Sequence, residues 1–352
     1  MAVWAREADD GAAAQCNMPQ ILAAPVAMSL ARNMGAQRLV EMDANGIDMQ
    51  ILSYSNSPQL LAGAEAVELT RNANDTLADA VNAHPDRFGG FATLPWSDPE
   101  AAAAELERAV TQLGFKGAML TGRPGETFLD DPRYSPVLAA AEALNVPIYI
   151  HPGVPLKRVQ EAYYAGLDPS VSARLSMFGW GWHAEAGVQI IRMILAGVFD
   201  KYPRLNIIAG HWGEMVPFFL SRLDASLPQN KTGLPRTITD TFTQHVYVTP
   251  SGMLSLPHLQ FTLQTLGPDR LIYAVDYPYL SHRGARAFLE TATISQADKE
   301  KFAHGNAERL FRLWALNRRH QSQPAARSAF SRRFLSIGKV TSSPTSPIFP
   351  AR

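Results

Sequence analysis

From Gly46 to Leu316 the sequence alternates short β-like runs with longer helical runs, and few architectures accept that rhythm. Gly46–Ser53 reads as a strand, and Ala64–His84 as a helix with apolar positions at Ala66, Leu69, Ala73, Leu77 and Val81. That 3–4 spacing lines one helical face. Further strands are expected at Arg87–Leu94, Phe115–Leu120, Val146–His151, Leu205–Gly210, His245–Thr249 and Leu271–Val275. Helices are expected between them at Asp98–Leu113, Pro132–Leu144, His183–Tyr202, Glu214–Leu227 and Leu254–Leu266. A strand followed by a 10–20-residue helix is a βαβ unit on a parallel sheet. Several strands are near-continuous apolar runs, as strands covered on both faces should be. No strand is followed by a glycine-rich phosphate turn; Gly-Arg-Pro-Gly at 122–125 fits neither a dinucleotide fingerprint nor a P-loop. The expectation is therefore an α/β fold, a distorted (β/α)8 barrel. Seven regular strands are one short of the eight such a barrel needs, so the first strand is missing or divergent.

The remaining residues set the domain limits. Residues 1–45 form a divergent N-terminal segment, 46–316 the barrel, and 317–352 a Ser/Pro-rich tail expected to lack structure. The tail holds seven Lys/Arg and no Asp/Glu, which leaves 25 basic against 32 acidic residues elsewhere. Over the whole chain Lys plus Arg equals Asp plus Glu, so no global field recruits nucleic acid or anionic lipid. The single cysteine, Cys16, excludes an internal disulfide and any cysteine-cluster metal site. No apolar run approaches the ~18 residues of a membrane span. Glu7, Asp9 and Asp10 argue against a secretory signal, so a cytoplasmic protein is expected.

Barrel chemistry sits at the C-terminal ends of the strands. Three strands end on an ionisable residue directly after an apolar run: His151, His211 and Asp276. One such residue is more often structural, but three at equivalent positions of one sheet converge on one mouth. Imidazole and carboxylate are the donors that zinc and similar divalent ions prefer. Glu214, three residues past His211, either reaches back to the imidazole or complements the next helix N-terminus, and spacing alone does not decide. His183 follows an aromatic loop (Tyr163, Tyr164, Phe178, Trp180, Trp182) that either walls a ligand pocket or packs the core. His84, His245, His258, His304 and His320 offer no comparable grouping.

These residues, in this order, resemble the decarboxylase-type branch of the amidohydrolase superfamily. That branch includes aminocarboxymuconate-semialdehyde decarboxylase and the resorcylate and dihydroxybenzoate decarboxylases. The match is carried by the run 42–53, Ala73-Asn-Asp-Thr-Leu77, His84-Pro-Asp-Arg-Phe88, Phe91–Pro95 and Ile150-His-Pro152. It continues through Tyr202-Pro-Arg-Leu205, Gly210-His-Trp-Gly-Glu214, Asp276-Tyr-Pro278 and Gly305-Asn-Ala-Glu-Arg-Leu310. The resemblance implies non-oxidative decarboxylation of an aromatic or related unsaturated acid, with lactone or amide hydrolysis as the alternative. It implies one divalent metal, zinc or manganese, and a homo-oligomer, dimer or tetramer. By position, His151 and Asp276 match metal ligands, joined here by His211; His211, Glu214 and Asp276 match catalytic residues. His183 and Trp182 are the expected substrate-binding pair.

The family's first strand carries an acidic-or-His-x-His pair supplying two more ligands, and residues 1–45 contain no histidine. The chain then has a wrong or truncated start, is a divergent form with a weaker metal site, or is a barrel without its chemistry.

Overall fold

The computed structural model describes residues 32–54, 61–313 and 334–340. Six strands alternate with helices: β1 (Met49–Tyr54), β2 (Phe88–Gly90), β3 (Ala118–Thr121), β4 (Ile148–His151), β5 (Ile207–Ala209) and β6 (Val246–Val248). A seventh, β7, is Leu335–Val340. All pairings are parallel, in the orders β2-β1-β7 and β3-β4-β5-β6. Single bridges complete the ring: Ala92 to Ala118, Val248 to Leu271, and Tyr277 to Gly338. The segment 271–277 is thus the remaining stave, and eight parallel staves close on themselves.

Two apolar layers follow from the period-2 alternation of strand side chains. Met49, Ile51, Phe91, Met119, Tyr149, Ile208, Tyr247, Ile272, Leu335 and Ile337 fill the barrel interior. Leu52, Leu120, Ile150, Ala209 and Val248 point outward into the layer covered by helices. Helix Gly63–Ala83 buries Ala66, Leu69, Ala73, Leu77 and Ala78 on one face, as its spacing predicts. Its buried Asn74 donates to the Thr93 carbonyl at 2.9 Å and to Glu105 at 2.7 Å, and accepts from the Thr93 N–H at 3.0 Å. One amide therefore clasps the helix, the chain after β2 and helix Pro99–Thr111. That next helix begins at Asp98, whose carboxylate caps the Ala101 N–H, with Pro99 in its first turn.

Three expectations need correction. The tail is not structureless at 334–340, because Leu335 and Ile337 alternate with small Ser336 and Gly338 and present an apolar face to the open interior. The eighth stave, which the sequence pattern of residues 1–45 does not offer, is supplied by β7, paired with β1 from Met49–Leu335 to Tyr54–Val340. Residues 314–333 and 341–352 of the tail, and 1–31 of the N-terminal segment, lie outside the described residues; Ala36–Ala44 is a helix. The predicted helix 183–202 is also broken, by Gly197 at φ +68°.

Candidate active site

At the C-terminal end of β5 the chain turns left-handed for five residues. His211 (φ 45°), Trp212 (59°), Gly213 (85°), Glu214 (53°) and Met215 (66°) all have positive φ. An L-residue in this region costs roughly 1–2 kcal/mol, so the turn persists only because its surroundings hold it. Trp212 donates its backbone N–H to the Thr249 carbonyl at 2.8 Å and its indole N–H to the Met253 carbonyl at 2.7 Å. Gly213 donates to the Gly210 carbonyl at 2.7 Å. Gly210 itself is closely packed, since a Cβ there would lie 3.0 Å from the Tyr149 hydroxyl and 3.2 Å from Glu214 Oε1, so both would have to give by a few tenths of an ångström.

The turn decides between the two readings of Glu214. Helix Val216–Ser226 starts after it, and the carboxylate, 1% exposed, lies between two imidazoles. Oε1 accepts from His211 Nδ1 at 2.8 Å and Oε2 from His183 Nδ1 at 2.8 Å. Trp182 donates its indole N–H to His183 Nε2 at 2.9 Å, which leaves Nδ1 of that ring as the protonated nitrogen. Burial alone would raise the Glu214 pKa, but the His211 charge and the two imidazole hydrogen bonds carry it below the usual carboxylate value. Burial likewise opposes charge on His211, yet Glu214 and then Asp276 carry its pKa above the usual imidazole value. His183, His211 and Glu214 lie close enough together to hold a metal, but protons occupy both carboxylate contacts.

His151 ends β4. Its Nδ1 donates to the Pro152 carbonyl at 2.7 Å, so Nε2 is the lone-pair nitrogen. Burial, and next the Lys339 charge, hold its pKa well below the usual imidazole value. Asp276 follows the stave 271–275 with φ 68°. The two residues meet on one group: Lys339 of β7 hydrogen-bonds His151 Nε2 and lies 2.9 Å from Asp276 Oδ1. The rings of His151 and His211 are 6.1 Å apart, those of His183 and His211 4.4 Å, and Trp182 lies edge-on to His151 at 6.0 Å.

All six residues expected from sequence therefore converge at one end of the barrel. Sequence reasoning missed two features: the second imidazole on Glu214, and Lys339. The alternation Leu335, Ile337, Lys339 was the available signal for the latter, since it sets the ammonium on the same face as two interior residues.

The pattern of the family described as Amidohydrolase matches residues 28–313. The chain is 36% identical over 290 residues to decarboxylase orsB of Emericella nidulans, covering 80% of this chain and 86% of that protein. It is 38% identical over 296 residues to a gamma-resorcylate decarboxylase of Rhodococcus jostii, covering 78% and 87%. A dihydroxybenzoic acid decarboxylase of Polaromonas, solved with manganese and the inhibitor 2-nitroresorcinol, superimposes with a TM-score of 0.75 at 35% identity. That match covers 82% of this chain and 89% of the other. With 286 consecutive residues matched and relatives of this similarity along most of its length, the chain belongs to the amidohydrolase family.

Proposed function

We propose that this protein is a metal-dependent carboxy-lyase that removes carbon dioxide from a hydroxybenzoate-like acid. The observation that carries the reading is the Glu214 carboxylate clamped between His183 and His211 at the mouth, beside His151 and Asp276. The identity to proteins named gamma-resorcylate decarboxylase supports the substrate class.

His151 and Asp276 fit a divalent ion. The imidazole is held in the tautomer that presents Nε2, a carboxylate oxygen faces the same point, and both already bind a cation, the Lys339 ammonium. When bound there, a metal would supply Lewis-acid stabilisation of negative charge on the substrate's carboxylate and neighbouring oxygen. Manganese is favoured over zinc, by analogy with the Polaromonas enzyme. The protein's own groups account for the proton. The ring carbon bearing the carboxylate gains a proton, the bond to the carboxylate carbon breaks, and its electron pair restores the aromatic ring as carbon dioxide leaves. His211, whose charged form Glu214 favours, is placed to hold a proton at the mouth; Asp276 is the alternative donor. Trp182 and His183 form the wall against which an aromatic ring can pack.

A cytoplasmic homo-oligomer, dimer or tetramer, belongs to the same reading. The self-association is supported by three exposed phenylalanines, Phe218 being in ring contact with both Phe219 and Phe261. The test is carbon dioxide release from a panel of hydroxybenzoates, with and without manganese. Release restricted to acids bearing an ortho hydroxyl supports the reading; lactone or amide hydrolysis without carbon dioxide release overturns it.

A further inference from the structure

We propose that Lys339 is the chain's own occupant of the metal position, so that a divalent ion binds His151 and Asp276 only by displacing its ammonium. The inference rests on reading those two residues as metal donors and concerns how their site is filled.

The placement of Lys339 is built rather than accidental. Its backbone is fixed on both sides: its N–H donates to the Tyr277 carbonyl at 2.8 Å, and its carbonyl accepts from Arg38 Nη2 at 2.7 Å. Register pairs it with Ser53, one residue short of the end of β1, at the mouth end of the barrel. With Leu335 and Ile337 pointing inward on the same strand, residue 339 must also point inward. Its side chain is 8% exposed and crosses the face of Tyr279, with Nζ 5.3 Å from the ring centre. The ammonium then reaches His151 Nε2 and Asp276 Oδ1 together. Those are the atoms a metal would take, and they are spent on N–H donors.

Lysine has donors only, so it cannot share the position as a third ligand while charged. An ammonium and a divalent cation within hydrogen-bonding distance repel strongly in a site shielded from water. The two occupants are therefore exclusive. The family's first strand would bring acidic and imidazole ligands here; β7 brings a cation instead. Metal loading in this chain is set by competition with an internal charge that is present at fixed, intramolecular concentration.

The experiment is manganese binding to the full chain, read as loss of the free-ion electron paramagnetic resonance signal. Wild type, Lys339→Met, Lys339→Gln and Lys339→Arg would be compared, each checked for its melting transition. Both neutral variants are expected to bind manganese about 10–100-fold more tightly than wild type, and Lys339→Arg to stay near wild type. Adding His151→Ala to the better-folded neutral variant should abolish the gain. Equal affinity in wild type and whichever neutral variant folds overturns the proposal, as does a gain that survives His151→Ala. Carbon dioxide release by the wild type reports separately on the decarboxylase reading. A metal-activated decarboxylase whose affinity is indifferent to residue 339 would refute only the role of Lys339.

Discussion

A carboxylate that is 1% exposed survives in a protein interior only when its oxygens are satisfied, and Glu214 takes one imidazole N–H on each. The arrangement makes a split prediction for His211. His211→Asn keeps an N–H donor for Oε1 but removes the titratable group, so turnover should fall by roughly 10²–10⁴-fold with the melting temperature nearly unchanged. Steady-state kinetics alongside thermal melts read both; an active His211→Asn would remove this residue from the chemistry. A different histidine contributes to the acid limb of stability. His282 is 1% exposed, stacks on Tyr277 at 4.5 Å and accepts from Gln50 Nε2 at 2.8 Å. Burial, and next the Arg38 charge, push its pKa down to about 4. Unfolded, it titrates near 6.5, so between those values the unfolded chain binds more protons than the folded one. Its contribution is therefore intact above pH 6.5 and shrinks as pH falls, by about 3 kcal/mol at pH 4. Denaturant melts from pH 7 to 4 should show that slope, and His282→Gln should reduce it, the depressed His151 and His245 contributing the same sign.

At the level of elements, the left-handed turn at 211–215 is what converts two neighbouring residues into one site. A continuous right-handed helix from His211 would carry the pair differently, and the turn is stabilised by Trp212 and by Gly213 at φ 85°. Gly213→Ala adds a Cβ 2.8 Å from Pro217 Cγ as well as left-handed strain. It should destabilise by about 1–3 kcal/mol and lower kcat more than it raises KM, because it shifts the proposed catalytic pair; wild-type kcat in a stably folded variant would show the turn to be incidental. The elements were legible in the sequence where periodicity and caps agree, as in helix Gly63–Ala83 and at Asp98-Pro99. Several of the motifs that carried the family resemblance prove to be joints of the scaffold. Asn74 clasps three elements, and Asn306 donates to the carbonyls of Pro268 and Leu271 at 2.8 and 2.7 Å, pinning the last stave before Asp276. The turn was not legible, because Trp, Glu and Met have no propensity for positive φ and only tertiary contacts put them there. Nor was the Glu214–His183 contact, which spans 31 residues and two strand ends.

For the whole molecule, ring closure depends on the two most distant described parts of the chain. β1 would otherwise be an edge strand, and so would the stave 271–277; β7 pairs with both, through six registered positions on one side and Tyr277–Gly338 on the other. Its contribution was hidden in sequence because six residues of alternating character lie among basic, Ser- and Pro-rich neighbours whose composition argues for disorder. Composition averages over a window, whereas a barrel gap needs only one short strand of the right period. Truncation after Leu316 therefore tests the architecture itself. It removes Leu335 and Ile337 from the interior, each worth roughly 1.5–3 kcal/mol when buried. It also leaves the buried Arg38 guanidinium without its contact to the Lys339 carbonyl, and two strand edges unpaired. Against a typical total stability of about 5–15 kcal/mol, the truncated chain should lose cooperative unfolding or melt far below the full chain. Backbone amides of 50–54 should lose hydrogen-exchange protection before those of β4 and β5. A peptide covering 317–352, added in trans, should restore protection at 50–54 if β7 is a true stave. A truncated chain that melts like the full one, with those amides still protected, would show that the ring closes without the tail, and Lys339 would then have no fixed place at the mouth.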